Sequence, residues 1–336
     1  MTGQFRVSIF VALVLASVVC VLAQAGCTPP DSVATNGQRN RQQPGVFNSG
    51  TGQKGVPNKR KDKLLIGSFN IKMFGQTKMS NPNVVSVLVD VARKFDVLAI
   101  QELRDKNDKV VIPEFLRQIN ANGSTYAAAV GPSQGYPGEN GKVRYQEQSV
   151  FIYNLNTVEL VGPTYASIDR SKLMYRPPFV GHFRALGAPR EQAFSFVLMN
   201  VHVRPERPEV EFRVMSDVMA GIFQSHQEDD FILLGDLNDR PSDYLRYNWM
   251  SNQTAVLPDS VKTNTLQTKS YDNLVFNSVR TSEFTGEAGV LNLMEVYELE
   301  LSDAQKVSDH MPVWAAFSTY ESPSAAITQG GGAVVR

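Results

Sequence analysis

The chain has 336 residues, 42% of them hydrophobic, and 33 Lys and Arg against 33 Asp and Glu, a formal charge of zero. It is long enough to bury a large core, and its overall charge does not draw it to a polyanion. Its two cysteines, Cys20 and Cys27, lie near the start, so internal disulfides are excluded beyond them and the fold must rest on hydrophobic packing.

Residues 1–25 have the form of a secretory signal. Arg6 is the only charge, an apolar run follows from Val7 to Ala23, and Ala23-Gln24-Ala25 is an A-x-A cleavage pattern. A membrane helix is the alternative, since the run is close to spanning length. The polar stretch beyond it favours cleavage and a secreted protein, extracellular or periplasmic. Cys27 adds the option of a lipid anchor, although Gln24 stands where a lipidation box has Leu. Residues 26–63 are rich in Gly, Gln, Asn, Pro and Ser and predict a flexible linker. From 28 to 63, 7 Lys/Arg against 2 Asp/Glu give a local balance of +5, suited to a weak hold on a polyanion or simply to a soluble spacer. From 64 to 320 the balance is 24 against 30, or −6. Long-range attraction to nucleic acid is excluded, but local grip is not, because bound metal neutralises clustered acids. The tail, 321–336, predicts disorder.

Leu64–Ile71 is an apolar run that predicts a buried strand. Ser80-Asn81-Pro82 predicts a helix start, a capping residue followed by Pro in the first turn. Val84, Leu88, Val91 and Phe95 then share one face, at spacings of 4, 3 and 4. Val97–Ile100 predicts a second strand that ends on Gln101-Glu102. Further strands are predicted at Ser149–Tyr153, Ala193–Val203, Phe231–Leu234, Leu274–Phe276 and Val313–Phe317, with a helix at Glu209–Phe223. Strands mixed with helices over 64–320 indicate an α/β enzyme.

Polar residues recur beside these runs. They are Asn70 in SFNIK, Glu102 in IQELRD, Tyr145 and Glu147 in RYQEQ, and His202 in NVHVRP. Asp236 and Asn238 in GDLND, Asp272 in YDNLVF, and Asp309-His310 in SDHMPV complete the set. Acids, amides and two histidines are what metal-assisted phosphodiester hydrolysis requires. Glu102 and Asp309 suit Mg²⁺, which prefers hard oxygen ligands. His202 and His310 suit proton transfer. Asp236 suits orienting a water or binding metal, and Asn70 and Asn238 can donate to phosphate oxygens. Singly, each motif is ordinary: a strand-end Glu is usually solvated, and GDxN is a common turn.

In order, FNIKMFGQTKMSN, IQELRD, RYQEQ, GDLND, YDNLVF and SDHMPV resemble the deoxyribonuclease I branch of the endonuclease/exonuclease/phosphatase superfamily, from about Leu64 to Phe317. The resemblance implies an α/β four-layer sandwich of two packed β-sheets flanked by helices. It implies a divalent-metal-dependent endonuclease on DNA, duplex preferred, with low sequence specificity and 5′-phosphate products. Glu102 is then the principal metal ligand, with Asp309 and Asn70 nearby. His310 is backed by Asp272 and His202 by Glu147, Asp236 completing the catalytic set; the usual assignment makes His310 the base and His202 the acid. Asn70, Asn238 and Arg176 would touch phosphate. Arg104 and Tyr145 would enter the minor groove, and Lys72 stands where the family has Arg. The implied cofactor is Mg²⁺ or Mn²⁺. A monomer is expected, with no stable protein partner. Two departures stand out: Pro241 and Lys269 replace disulfide cysteines, and TNTLQTKS matches a Thr-rich calcium loop only in part, so the implied Ca²⁺ rests on less. The rivals are a phosphatase or sphingomyelinase-type phosphodiesterase on the same scaffold, and a non-catalytic binding protein. No aromatic hairpin favours the first, and no lost catalytic acid or histidine favours the second.

Overall fold

A computed structural model of the protein describes residues 55–105, 109–135 and 146–322. The expected signal, most of the expected linker and tail, and Tyr145 lie outside them.

The long apolar runs become strands because both of their alternating faces are buried. In Ser195–His202, Phe196 and Leu198 join one hydrophobic cluster, while Val197, Met199 and Val201 join another. A period of two with apolar residues on both sides needs a sheet covered on both faces. In chain order the strands are β1 (Lys63–Phe74), β2 (Val97–Leu103), β3 (Tyr126–Val130), β4 (Gln148–Asn154), β5 (Val158–Leu160), β6 (Tyr165–Ala166) and β7 (Phe179–Ala185). They continue as β8 (Ser195–His202), β9 (Phe231–Asp236), β10 (Gln253–Ala255), β11 (Asp272–Asn277), β12 (Phe284–Val290) and β13 (Val313–Ser318). A six-stranded sheet runs β12-β13-β1-β2-β4-β3, and a seven-stranded sheet runs β10-β11-β9-β8-β7-β5 with β6 also on β7.

Leu64, Ile66, Val97, Ala99 and Phe151 of the first sheet meet Phe183, Phe196, Leu198, Ile232 and Leu274 of the second in one cluster. Outside the first sheet, Leu65, Phe69, Leu98 and Ile100 pack with Val84, Leu88, Val91, Ile112 and Phe115 of the Pro82–Arg93 and Val111–Ile119 helices. Outside the second, Val197, Met199 and Leu233 take Phe212, Met215, Met219 and Ile222 of the Pro208–Ser225 helix. Each large side chain so buried stabilises by about 1.5–3 kcal/mol. The layers are helix, sheet, sheet, helix, the expected α/β sandwich.

Asn81 caps its helix as expected, accepting from Val84 N–H. The Val111–Ile119 helix and strands β3, β5, β6, β7, β10 and β12 have no counterpart among the predicted elements. Pro113 hides that helix, yet it falls in the first turn, where no donor is needed. Asp105 supplies the missing acceptors, taking Val110 N–H at 3.0 Å and Val111 N–H at 2.8 Å.

Both edges of the folded region extend beyond the expected limits. Lys59, expected in the linker, donates to Phe95 O at 2.8 Å and to the Tyr126 hydroxyl at 2.7 Å, and pairs with buried Asp96 at 3.3 Å. Glu321, expected in the tail, accepts from Ser195 N–H at 2.7 Å. Composition carries no record of the burial that a distant strand offers.

Strand direction places the motifs. β1 and β2 are parallel, as are β8 and β9, while β4, β11 and β13 run against their neighbours. Residues ending the first four and opening the last three therefore share a rim within each sheet. An Asn70–Asp236 hydrogen bond of 3.0 Å joins the rims of the two sheets.

Candidate active site

β1 and β2 both break register at the rim, between Asn70 and Phe74 and between Ile100 and Leu103. There Glu102 adopts φ +65° and Met73 φ +51°, values that cost a side-chain-bearing residue about 1–3 kcal/mol. Contacts hold the strained turn: Met73 N–H donates to Glu102 Oε2 at 3.0 Å, and Asn70 Nδ2 to Glu102 Oε1 at 3.2 Å. In β9, Gly235 has φ +147°, and a β-carbon there would meet Val201 O at 1.9 Å. Only glycine lets β8 and β9 stay paired while Asp236 turns into the site.

Asp236 Oδ2 is the hub. Asn70 Nδ2 donates to it at 3.0 Å, and His202 Nε2 and His310 Nε2 each lie 3.6 Å from it. Each ring is tied at its other nitrogen, His202 Nδ1 to Glu147 Oε1 at 2.7 Å and His310 Nδ1 to Asp272 Oδ2 at 2.8 Å. A carboxylate only accepts, so Nδ1 carries the proton, and in the neutral ring Nε2 is the free base. Burial opposes charge on His310, but Asp272 and Asp236 outweigh it and raise its pKa to about 10. Burial raises Asp272 as well, against the pull of His310. The ionic pair is the form we favour, because Thr263 Oγ1 also donates to Asp272 Oδ2, at 2.7 Å.

Two supporting residues escape motif reasoning. Thr263 belongs to the loop set aside as a partial calcium match. Ser308 stands inside SDHMPV; its hydroxyl donates to Asn70 O at 2.7 Å and accepts Lys72 N–H and His310 N–H, both at 3.2 Å. One serine thus fixes the end of β1 against the histidine segment.

The remaining expected residues divide. Asn70 is brought to the site, but it turns its amide nitrogen toward Glu102 and Asp236, as two acceptor-only groups demand. Both of its hydrogens are used, while its Oδ1 is buried without a hydrogen-bond partner. Asn238 donates one hydrogen to Val203 O at 2.7 Å and retains one. Arg176 lies behind His202, with Nε donating to His202 O at 2.8 Å and Nη2 buried without a partner. Lys72 Nζ sits on Asp309 Oδ2 at 2.6 Å. Arg104 follows β2, half-buried, with its N–H on Phe74 O at 2.7 Å. Lys78 Nζ donates to Val307 O at 2.6 Å; burial lowers its pKa to about 8, against the nearby charges of Asp309 and Glu102.

Glu102 and Asp309 suit a hard divalent cation: both offer oxygen, and Asp309 Oδ1 is buried without a partner. The loop before Asp272 does not suit calcium. Lys262 Nζ occupies it, donating to Asp259 O at 2.7 Å and Ser270 Oγ at 3.1 Å, so a cation there would have to displace an ammonium.

The chain belongs to the endonuclease/exonuclease/phosphatase family, whose profile matches residues 67–310. It is similar to Deoxyribonuclease-1 of Gallus gallus, 28% identical over 264 residues that cover 74% of this chain and 90% of that one. It is also similar to Deoxyribonuclease-1-like 2 of Mus musculus, 29% identical over 273 residues, covering 76% and 92%. Among solved structures, an endonuclease/exonuclease/phosphatase from Beutenbergia cavernae matches with a TM-score of 0.54 at 13% identity, over 79% of this chain and 73% of that one. At that identity the likeness speaks for the fold alone. Among the described residues, no helix is long and apolar enough to cross a membrane.

Proposed function

We propose that the protein is a secreted, divalent-metal-dependent endonuclease that cuts duplex DNA with little sequence preference and leaves 5′-phosphates. One observation carries the reading: two carboxylate-backed imidazoles present Nε2 to the same Asp236 oxygen, 3.6 Å from each. Displacement at phosphorus needs a proton taken from water and a proton given to the departing 3′ oxygen. His202 Nε2 takes the first, and His310, held charged by Asp272 and Asp236, delivers the second from Nε2, the reverse of the usual assignment. Asp272 and Glu147 hold the rings in register and stabilise the charged form of each. Asp236 orients the water between them. The second Asn238 hydrogen and Arg176 Nη2 are the donors left for the phosphoryl oxygens. A cation held by Glu102 and Asp309 supplies charge to those oxygens when bound. Arg104 provides the minor-groove contact, and groove width rather than base sequence sets the preference. The similar proteins named above are deoxyribonucleases, which supports DNA as the substrate.

The test is nicking of supercoiled plasmid by the purified protein in Mg²⁺ or Mn²⁺, with end analysis of the products. Nicking that His310→Ala abolishes is expected. An equally active His310→Ala protein would sink the assignment.

A further inference from the structure

The pole opposite the rim gathers a second set of acids. Asp230 precedes β9 in one sheet; Glu283 precedes β12 and Glu321 follows β13 in the other. One oxygen from each carboxylate lies within 4.8 Å of the other two. Backbone amides hold two of the groups, Ser322 N–H on Glu283 Oε1 and Ser195 N–H on Glu321 Oε1, both at 2.7 Å. Asp230 Oδ1 and Glu283 Oε2 are left buried without a hydrogen-bond partner, in side chains only 5% and 3% exposed. Among the described residues no Lys, Arg or His forms an ion pair with any of the three; the charge of Arg184 reaches Glu321, but its guanidinium pairs with Glu159.

An uncharged group points to the same place. Thr281 is 1% exposed, its hydroxyl lies against Asp230, and it too is buried outside hydrogen-bond geometry. Burial and like charge make this arrangement costly when ionised. Burial first, then Glu283 and Glu321, push Asp230 well above the usual carboxylate range. A shared proton would neutralise one acid and leave two like charges in contact. A cation meets all three acids and the hydroxyl. The donors are all protein oxygens, carboxylate and hydroxyl, which suits calcium better than magnesium, an ion that keeps several of its waters.

We propose that Asp230, Glu283 and Glu321, with the Thr281 hydroxyl, bind a calcium ion that fastens the two sheets together at the pole away from the rim. Asp230 and Glu283 lie within the 67–310 family match and Glu321 beyond it.

The full chain, stripped with a chelator and returned to saturating Mg²⁺, is dialysed against radioactive Ca²⁺ near neutral pH and then melted. One calcium equivalent and a rise in Tm of roughly 5 °C or more are expected. Glu283→Gln should lose both, while its Mg²⁺-dependent nicking persists. Asp309→Asn, at the rim, should keep the calcium equivalent. Thr281→Val preserves the shape and remains informative if Glu283→Gln does not fold; it should weaken calcium by about tenfold, the scale of losing one supporting group. The proposal is overturned if calcium leaves the wild-type Tm unmoved, if Glu283→Gln or Thr281→Val binds calcium as the wild type does, or if Asp309→Asn loses the equivalent.

Discussion

The two poles of the sandwich handle buried acids in opposite ways. At the rim, every buried carboxylate faces a donor: Glu147 has His202, Asp272 has His310 and Thr263, and Asp236 has Asn70. At the far pole, Asp230, Glu283 and Glu321 face one another, with backbone amides but no side-chain cation donating to them. A partnered acid can hold an imidazole at a fixed angle and tautomer, which is a device for moving protons. An acid without a cation partner has to take its counter-charge from solution. Burial alone therefore does not mark a catalytic carboxylate; the partner does.

The largest expected break in this contrast is at the histidines. His310→Ala or His202→Ala should lower plasmid nicking by about 10²–10⁴-fold, whereas Glu283→Gln should leave nicking unchanged. Next comes the backbone that carries the hub. Gly235→Ala places a β-carbon on Val201 O and should cost about 3 kcal/mol or more, read as a lowered urea midpoint. Smaller is the support behind Asp272. Thr263→Val removes one donor from that carboxylate and should lower kcat by roughly tenfold with KM for DNA unmoved. Smallest is Lys72. Its pair with Asp309 is half exposed, and such pairs contribute about 0–1 kcal/mol. Lys72→Ala should therefore reduce the Mg²⁺ needed for half-maximal nicking by no more than about fivefold, as a metal titration would reveal.

Much of the site is legible in the chain because catalytic groups sit where apolar runs stop. FILLGDLND states both a buried strand and the acid at its end, and SDHMPV does the same in reverse. Supporting residues are less legible. Thr263 lies nine positions before Asp272, in a loop whose composition suggests only a turn, and its role appears only once the loop folds back. The amide direction of Asn70 depends on two carboxylates, 32 and 166 residues away. The cluster at the far pole draws on Asp230, Glu283 and Glu321, none of which stands in a motif.

The sequence by itself determined the strands that carry the motifs and the chemical types available at their ends, since periodicity and residue chemistry are local properties. The tertiary structure alone decided which acid backs which histidine, which amide hydrogens are already spent, and where three acids meet without a counter-charge. Those are distances between residues far apart in the chain, and they come into being only when two sheets pack face to face.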